Sequence, residues 1–129
     1  MKTAAFISIF LFLSAFTNSF AQPLPLHLIG QDLVQNQWED SFRVDFLYNG
    51  NGHVEQEIHY RKTSTGWAST NRSTYSYTAF DSLEVNLLES YHSGVWENEF
   101  RFVHKYGSGN LRLAQYVLQW SGGTWDTMA

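Results

Sequence analysis

The sequence contains no cysteine and only two prolines in 129 residues. Without cysteine the chain can form no disulfide, and it has no thiolate to bind zinc and no cysteine for lipid attachment. Small exported domains of animals usually depend on disulfides, so this lack favours bacterial export. Few prolines combined with 17% aromatic residues exclude a disordered tail.

Basic charge and helical periodicity are also scarce. The chain has 8 Lys and Arg against 12 Asp and Glu, a net charge of −4, so we predict no nucleic-acid partner, which would need a concentrated basic surface. No stretch shows the apolar period of about 3.6 residues that marks an amphipathic helix. We therefore expect almost no helix.

The N-terminus has the features of a secretory signal peptide. Lys2 precedes an apolar run over residues 4–16, and Ser19 and Ala21 stand at the −3 and −1 positions of a cleavage site before Gln22. The run is shorter than the roughly 20 residues of a transmembrane helix. Residues 1–21 are thus predicted to be removed on export to the periplasm, the cell surface or the medium, with no transmembrane helix in the mature chain.

What the chain does contain is a tandem repeat of 29 residues. It is marked by a tryptophan, an arginine five positions later and a tyrosine ten positions later. These residues are Trp38, Trp67, Trp96 and Trp125; Arg43, Arg72 and Arg101; and Tyr48, Tyr77 and Tyr106. The repeats cover residues 38–66, 67–95 and 96–124, and Trp125 starts a fourth. Such a period indicates one supersecondary unit that buries its apolar side against its neighbours.

Each repeat is predicted to be a β-hairpin. Apolar and polar residues alternate along residues 38–48, and a turn rich in Asn and Gly follows at residues 49–53. Pairing Tyr48 with Val54 sets Val44 opposite Ile58 and places every tryptophan on the same face as the other rings. The turn of the third repeat, residues 107–110, is predicted to be one residue shorter than the turns of the first two repeats. Residues 22–37 are predicted to be an extended leader that lies across the first repeat.

The predicted fold is therefore all-β. Six strands and the start of a seventh form an antiparallel meander, as a twisted sheet or a partly open barrel. An open single layer would leave a large aromatic patch in water, so we expect curling, the leader or a partner to cover it.

The run Arg72-x-x-Tyr75-x-Tyr77, followed six residues later by Leu83, resembles the core of the YD-type repeats of RHS-like bacterial surface and toxin-delivery proteins. The tryptophan and glycine linkers resemble the longer variant found in exported proteins of gliding-type Gram-negative bacteria. The resemblance covers Trp38 to the C-terminus. It implies an exported β-hairpin array and transfers no catalytic residue.

No residue pattern predicts catalysis, a cofactor or a metal. Glu55 and Glu57 share an open polar face rather than the apolar pocket that a glycosidase acid requires. His53, His59, His92 and His104 lack metal-ligand spacing. The arginines and tyrosines are interpreted as a structural ladder, with Arg43 beside His59 in cross-strand ion pairs on a solvated face.

The tryptophans are the candidate binding residues. One repeat advances two strands, so Trp38, Trp67, Trp96 and Trp125 would stand about 9.6 Å apart, comparable to a disaccharide. The first hypothesis is a non-enzymatic exported scaffold or adhesion element, or a truncated part of a longer surface array. A carbohydrate-binding module using the tryptophan row is the alternative, and a small outer-membrane barrel is a third. The expected partners are further repeats, a second copy or a surface glycan.

Overall fold

The structure, a computed structural model, describes residues 24–128, so the predicted signal peptide lies outside the described residues. Eight strands form one open sheet in which each strand pairs with the next along the chain, which confirms the all-β antiparallel meander. The strands are β1 (His27–Val34), β2 (Gln37–Tyr48), β3 (Val54–Thr63), β4 (Gly66–Tyr77), β5 (Leu83–His92), β6 (Val95–Tyr106), β7 (Arg112–Ser121) and β8 (Thr124–Thr127).

Helix is nearly absent from this part of the chain. The described residues contain one 3-10 turn, Ser108–Asn110, and no other helix. Over the same range no helix has the length and apolar character needed to cross a membrane.

Five-residue turns join the two strands of each hairpin, and we call them the tip turns. In each turn the first residue donates its N–H to the carbonyl of the fifth, as Asn49 does to His53 at 2.9 Å. The same bond joins Thr78 to Ser82 and Gly107 to Leu111. All three tip turns therefore have one length, and the prediction of a shorter third turn is wrong.

The leader differs from its prediction, because residues 27–34 form an edge strand of the sheet rather than a strap across it. The Tyr48 hydroxyl donates to the Pro25 carbonyl at 2.9 Å, just as Tyr77 donates to Val54. Pro25 and Val54 are 29 residues apart, so β1 takes the place that β3 takes in the next repeat. Proline at this position concealed the match in the sequence.

Two β-bulges in every repeat alter the predicted register. Tyr48 pairs with Val54 as expected, but Val44 then faces His59 instead of Ile58 because Glu55 is an extra residue in β3. The second bulge lies in the outgoing strand that carries the tryptophan. The extra residues recur every 29 positions: Glu55, Glu84 and Leu113 in the return strands, and Ser41, Thr70 and Glu99 in the outgoing strands.

The outgoing bulge moves the tryptophans to the other face of the sheet. A bulge sets two residues against one, so the side chains before it change sides relative to those after it. Trp67 thus shares a face with Arg72 and not with Tyr75, and the prediction of one common aromatic face is wrong. We call the side with Trp38, Trp67, Trp96 and Trp125 the tryptophan face, and the side with Tyr48, Tyr77 and Tyr106 the tyrosine face.

The sheet is a single layer with little core. Val44, 8% exposed, is the one apolar side chain buried among residues 24–128, and none of these side chains is fully buried. The polar residues Ser73, Glu89 and His104 are buried to a similar degree. Contacts between side chains of neighbouring strands therefore supply most of the packing.

Candidate binding surface

The three repeat tyrosines tie each repeat to the one before it. Tyr77 donates its hydroxyl to the Val54 carbonyl at 2.6 Å, and Tyr106 donates to the Leu83 carbonyl at 2.7 Å. Each bond joins the end of an outgoing strand to the start of the return strand beside it, which belongs to the preceding repeat. Burial, together with the negative charge of Glu57, raises the pKa of Tyr77. These hydroxyls are thus used for cohesion between repeats.

On the tryptophan face, Arg43 lies between aromatic rings. Its guanidinium carbon is 4.5 Å from the centre of the Tyr60 ring and 5.6 Å from that of Trp67, while Lys62 Nζ is 4.9 Å from the Trp67 ring. Arg43 also donates to Asp45 at 2.8 Å. The predicted neighbour His59 lies on the tyrosine face, because the return bulge makes Tyr60 the partner of Arg43.

Arg72 repeats this arrangement in a more buried form. It donates through Nε and Nη2 to the two carboxylate oxygens of Glu89, both at 2.7 Å, and stacks 4.6 Å from the Trp96 ring. Glu89 is only 8% exposed. Sequence reasoning missed this residue, although its position recurs opposite each repeat arginine as Tyr60, Glu89 and Leu118.

Arg101 has a different environment. Its cross-strand partner is Leu118, and no carboxylate of the described residues lies within 4.0 Å of its guanidinium. The residue lines an open groove of about 320 Å³ on the tryptophan face. The other lining residues are Thr74, Tyr75, Ser76, Val85, Leu87, Asn98 and Trp125.

The tryptophans differ in how much of each ring is free. Trp38 is 60% exposed, whereas Trp67, Trp96 and Trp125 are half-buried. Trp96 packs on Tyr91 with ring centres 4.8 Å apart, and Trp125 meets Trp120 edge-on at 5.0 Å. Aromatic and cationic neighbours therefore cover part of the row that the sequence predicted.

A cluster of polar side chains on the tyrosine face contains the groups that most resemble an acid–base site. Glu57 accepts a hydrogen bond from the Tyr75 hydroxyl at 3.1 Å and lies 3.4 Å from His59 Nε2. Burial is the largest cause of the raised pKa of Tyr75, and the Glu57 charge adds to it. Glu55 is the extra residue of the β3 bulge and has no cross-strand partner in β2. Residues 24–128 contain no group of three His, Asp or Glu side chains placed to hold a metal ion.

No protein-family model and no curated protein matches the chain. The fold is similar to that of a DUF3836 family protein from Bacteroides vulgatus, which is 17% identical, with a TM-score of 0.58 over 69% of this chain and 92% of that one. A Bacteroides fragilis protein of unknown function, 9% identical, has a TM-score of 0.56 over 80% of this chain and 88% of that one. The chain thus has the fold of these bacterial proteins, and the resemblance to YD-type repeats finds no support among them.

Proposed function

We propose that the protein is a non-enzymatic, exported repeat scaffold that serves a structural or adhesive role outside the cytoplasm. The supporting observation is how the recurring side chains are used. The repeat tyrosines bond to the preceding repeat, and Arg43 and Arg72 stack on the tryptophan of the following repeat. The repeat tyrosines, Arg43 and Arg72 therefore connect neighbouring repeats rather than form a reaction site.

The finer assignment, a YD-type array in its tryptophan-containing variant, belongs to the same proposal. Arg72, Tyr75 and Tyr77 carry it, together with their counterparts in the other repeats. All three side chains donate hydrogen bonds to a neighbouring strand of the sheet, which supports their interpretation as a structural ladder.

The scaffold proposal is tested by measuring whether the protein is exported and whether it contributes to adhesion. A C-terminally tagged chain expressed in a Bacteroides host is expected in the envelope or medium, beginning at Gln22 by N-terminal mass spectrometry. Deletion of the gene is expected to reduce attachment to surfaces or to other cells, with recovery on re-expression. An uncleaved chain in the cytoplasm would contradict export, and unchanged attachment in every assay would contradict adhesion.

A second candidate is carbohydrate binding at the groove beside Trp125. Arg101 supplies a guanidinium with no carboxylate partner among residues 24–128, Asn98 supplies an amide, and the indole of Trp125 supplies a stacking surface. Among the residues of β4–β8 that have a cross-strand partner, the register places three basic residues, Arg72, Arg101 and Lys105, and one acid, Glu89, on the tryptophan face. This surface favours a sugar with a carboxylate, such as a uronic acid, because a guanidinium binds a carboxylate through paired hydrogen bonds.

Binding to polyuronate glycans tests this candidate. Trp125→Ala and Arg101→Gln are each expected to weaken binding at least about tenfold, the equivalent of losing 1.4 kcal/mol. Trp38→Ala is the control, since it removes an indole from the row but lies far from the groove. Equal losses from all three would favour the whole tryptophan row over the groove, and no binding to any glycan would remove the candidate.

A further inference from the structure

The outer edge of β1 is apolar and long. Its exposed apolar side chains are Leu28 at 49%, Ile29 at 44%, Leu33 at 56% and Val34 at 42%. Asp32 is the one acidic residue of the strand, which contains neither lysine nor proline. Within residues 24–128 no strand lies beside this edge. Edge strands are normally protected by charge, proline or shortness, and β1 has little of this protection.

The backbone of β1 offers unpaired groups at alternate residues. Phe46 donates its N–H to the Leu26 carbonyl, and the two-residue turn at Gln35 and Asn36 closes on the pair Val34 and Gln37. In an antiparallel ladder, hydrogen-bonded residues alternate with residues that point away from the partner strand. Even-numbered residues of β1 thus point toward β2, and Ile29, Gln31 and Leu33 direct their amides and carbonyls outward.

The β1 sequence is complementary to itself about Gln31. A two-fold axis through Gln31, perpendicular to the sheet, pairs residues whose numbers add to 62. Ile29 then faces Leu33 of the second copy, and Leu28 faces Val34 of the second copy, each pair on one side of the joined sheet. Asp32 faces Gly30, so no like charges meet. We propose that two copies of this chain associate through their β1 strands and form a continuous sixteen-stranded sheet.

Other arrangements fit less well. An axis through Gly30 would set Leu28 against the charged Asp32 and Ile29 against Gln31 of the second copy. At the opposite edge β8 pairs with β7 over only four residues, Leu118–Ser121 with Thr124–Thr127, and β7 begins with Arg112. Of these arrangements, only the Gln31 register of β1 sets apolar side chains opposite apolar side chains while it also joins the outward backbone groups of the two copies.

A pair of edge strands buries less area than the roughly 1,200 Å² of the smallest standard interfaces, so the dimer is expected to be reversible. Sedimentation velocity of the exported chain is expected to show a monomer that becomes a dimer as the concentration rises through the micromolar range. Ile29→Lys and Leu33→Glu are each expected to weaken dimerisation at least about tenfold, because each places an unpaired charge against an apolar residue.

The double variant Ile29→Lys with Leu33→Glu is expected to recover dimerisation, since the register sets position 29 of one copy opposite position 33 of the other. Tyr116→Lys is the matched control: Tyr116 occupies the same repeat position as Ile29 on the opposite edge and is 46% exposed. This control is expected to leave the dimer intact. Circular dichroism separates lost association from lost folding.

A single introduced cysteine tests the axis directly. The chain has no cysteine, and hydrogen-bonded cross-strand partners have Cα atoms about 5.5 Å apart, within disulfide range. Gln31→Cys is expected to form a disulfide-linked dimer on mild oxidation, whereas Gln119→Cys on β7 is expected to stay reduced. A monomer at all concentrations, including one whose β1 edge is covered by its own N-terminal segment, would overturn the proposal. Loss of dimerisation in the single variant Tyr116→Lys would also overturn the proposal.

Discussion

Replacing Glu89 with leucine is expected to lower the free energy of unfolding by about 2–3 kcal/mol. The substitution leaves the Arg72 guanidinium without its two carboxylate bonds, while Trp96 still covers one side of it. Removing one partner of a buried ion pair costs about 3–5 kcal/mol. The lower figure applies here because the Arg72 side chain is 24% exposed and therefore keeps some hydration. Urea unfolding followed by circular dichroism measures the change.

The first repeat supplies the control for this prediction. Asp45→Asn removes the carboxylate from the pair with Arg43, whose side chains are 29% and 35% exposed, and it is expected to cost less than about 1 kcal/mol. Arg72→Met combined with Glu89→Leu is expected to recover most of the loss, because no unpaired charge remains. If Glu89→Leu cost as little as Asp45→Asn, Arg72 would be hydrated as readily as Arg101, which already faces Leu118.

Deleting Thr70 is expected to destabilise the protein by about 3 kcal/mol, by moving Trp67 to the wrong face of the sheet. Without this bulge residue the strict alternation of a strand carries Trp67 from the tryptophan face to the tyrosine face. The indole then leaves Arg43 and Lys62, contacts that contribute about 0.5–1 kcal/mol each. Its apolar contacts in the sheet, of about 1.5–3 kcal/mol for a large side chain, are lost as well.

Thr70→Ala separates the bulge from the side chain. The Thr70 hydroxyl donates to the His59 carbonyl at 3.1 Å and lies 2.9 Å from Asn71 Oδ1, so its removal is expected to cost about 1 kcal/mol. Urea unfolding measures both variants, and tryptophan fluorescence reports the altered indole environment. A deletion that costs no more than Thr70→Ala would show that the repeat tolerates either face for its tryptophan.

Much of the fold could be predicted because it depends on local signals. The recurrence of Trp38 at 29-residue intervals revealed the repeats, and the tip turn after Tyr48 revealed the hairpin and its first pair with Val54. The candidate binding surface was harder to predict from the sequence. Four tryptophans were predicted in a row, but only the pairing between strands shows that Trp96 is stacked on Arg72 and that Glu89 completes this contact.

The 29-residue period and the alternation of apolar residues, both local features of the chain, determined by themselves an antiparallel array of hairpins. The tertiary structure alone decided the faces of that array. A bulge adds one residue that has no partner in the neighbouring strand. The amino-acid types of Ser41 and Glu55 do not indicate that these residues lack a partner. Because each such residue turns the side chains beyond it to the other side of the sheet, the separate tyrosine and tryptophan faces exist only once the strands are paired.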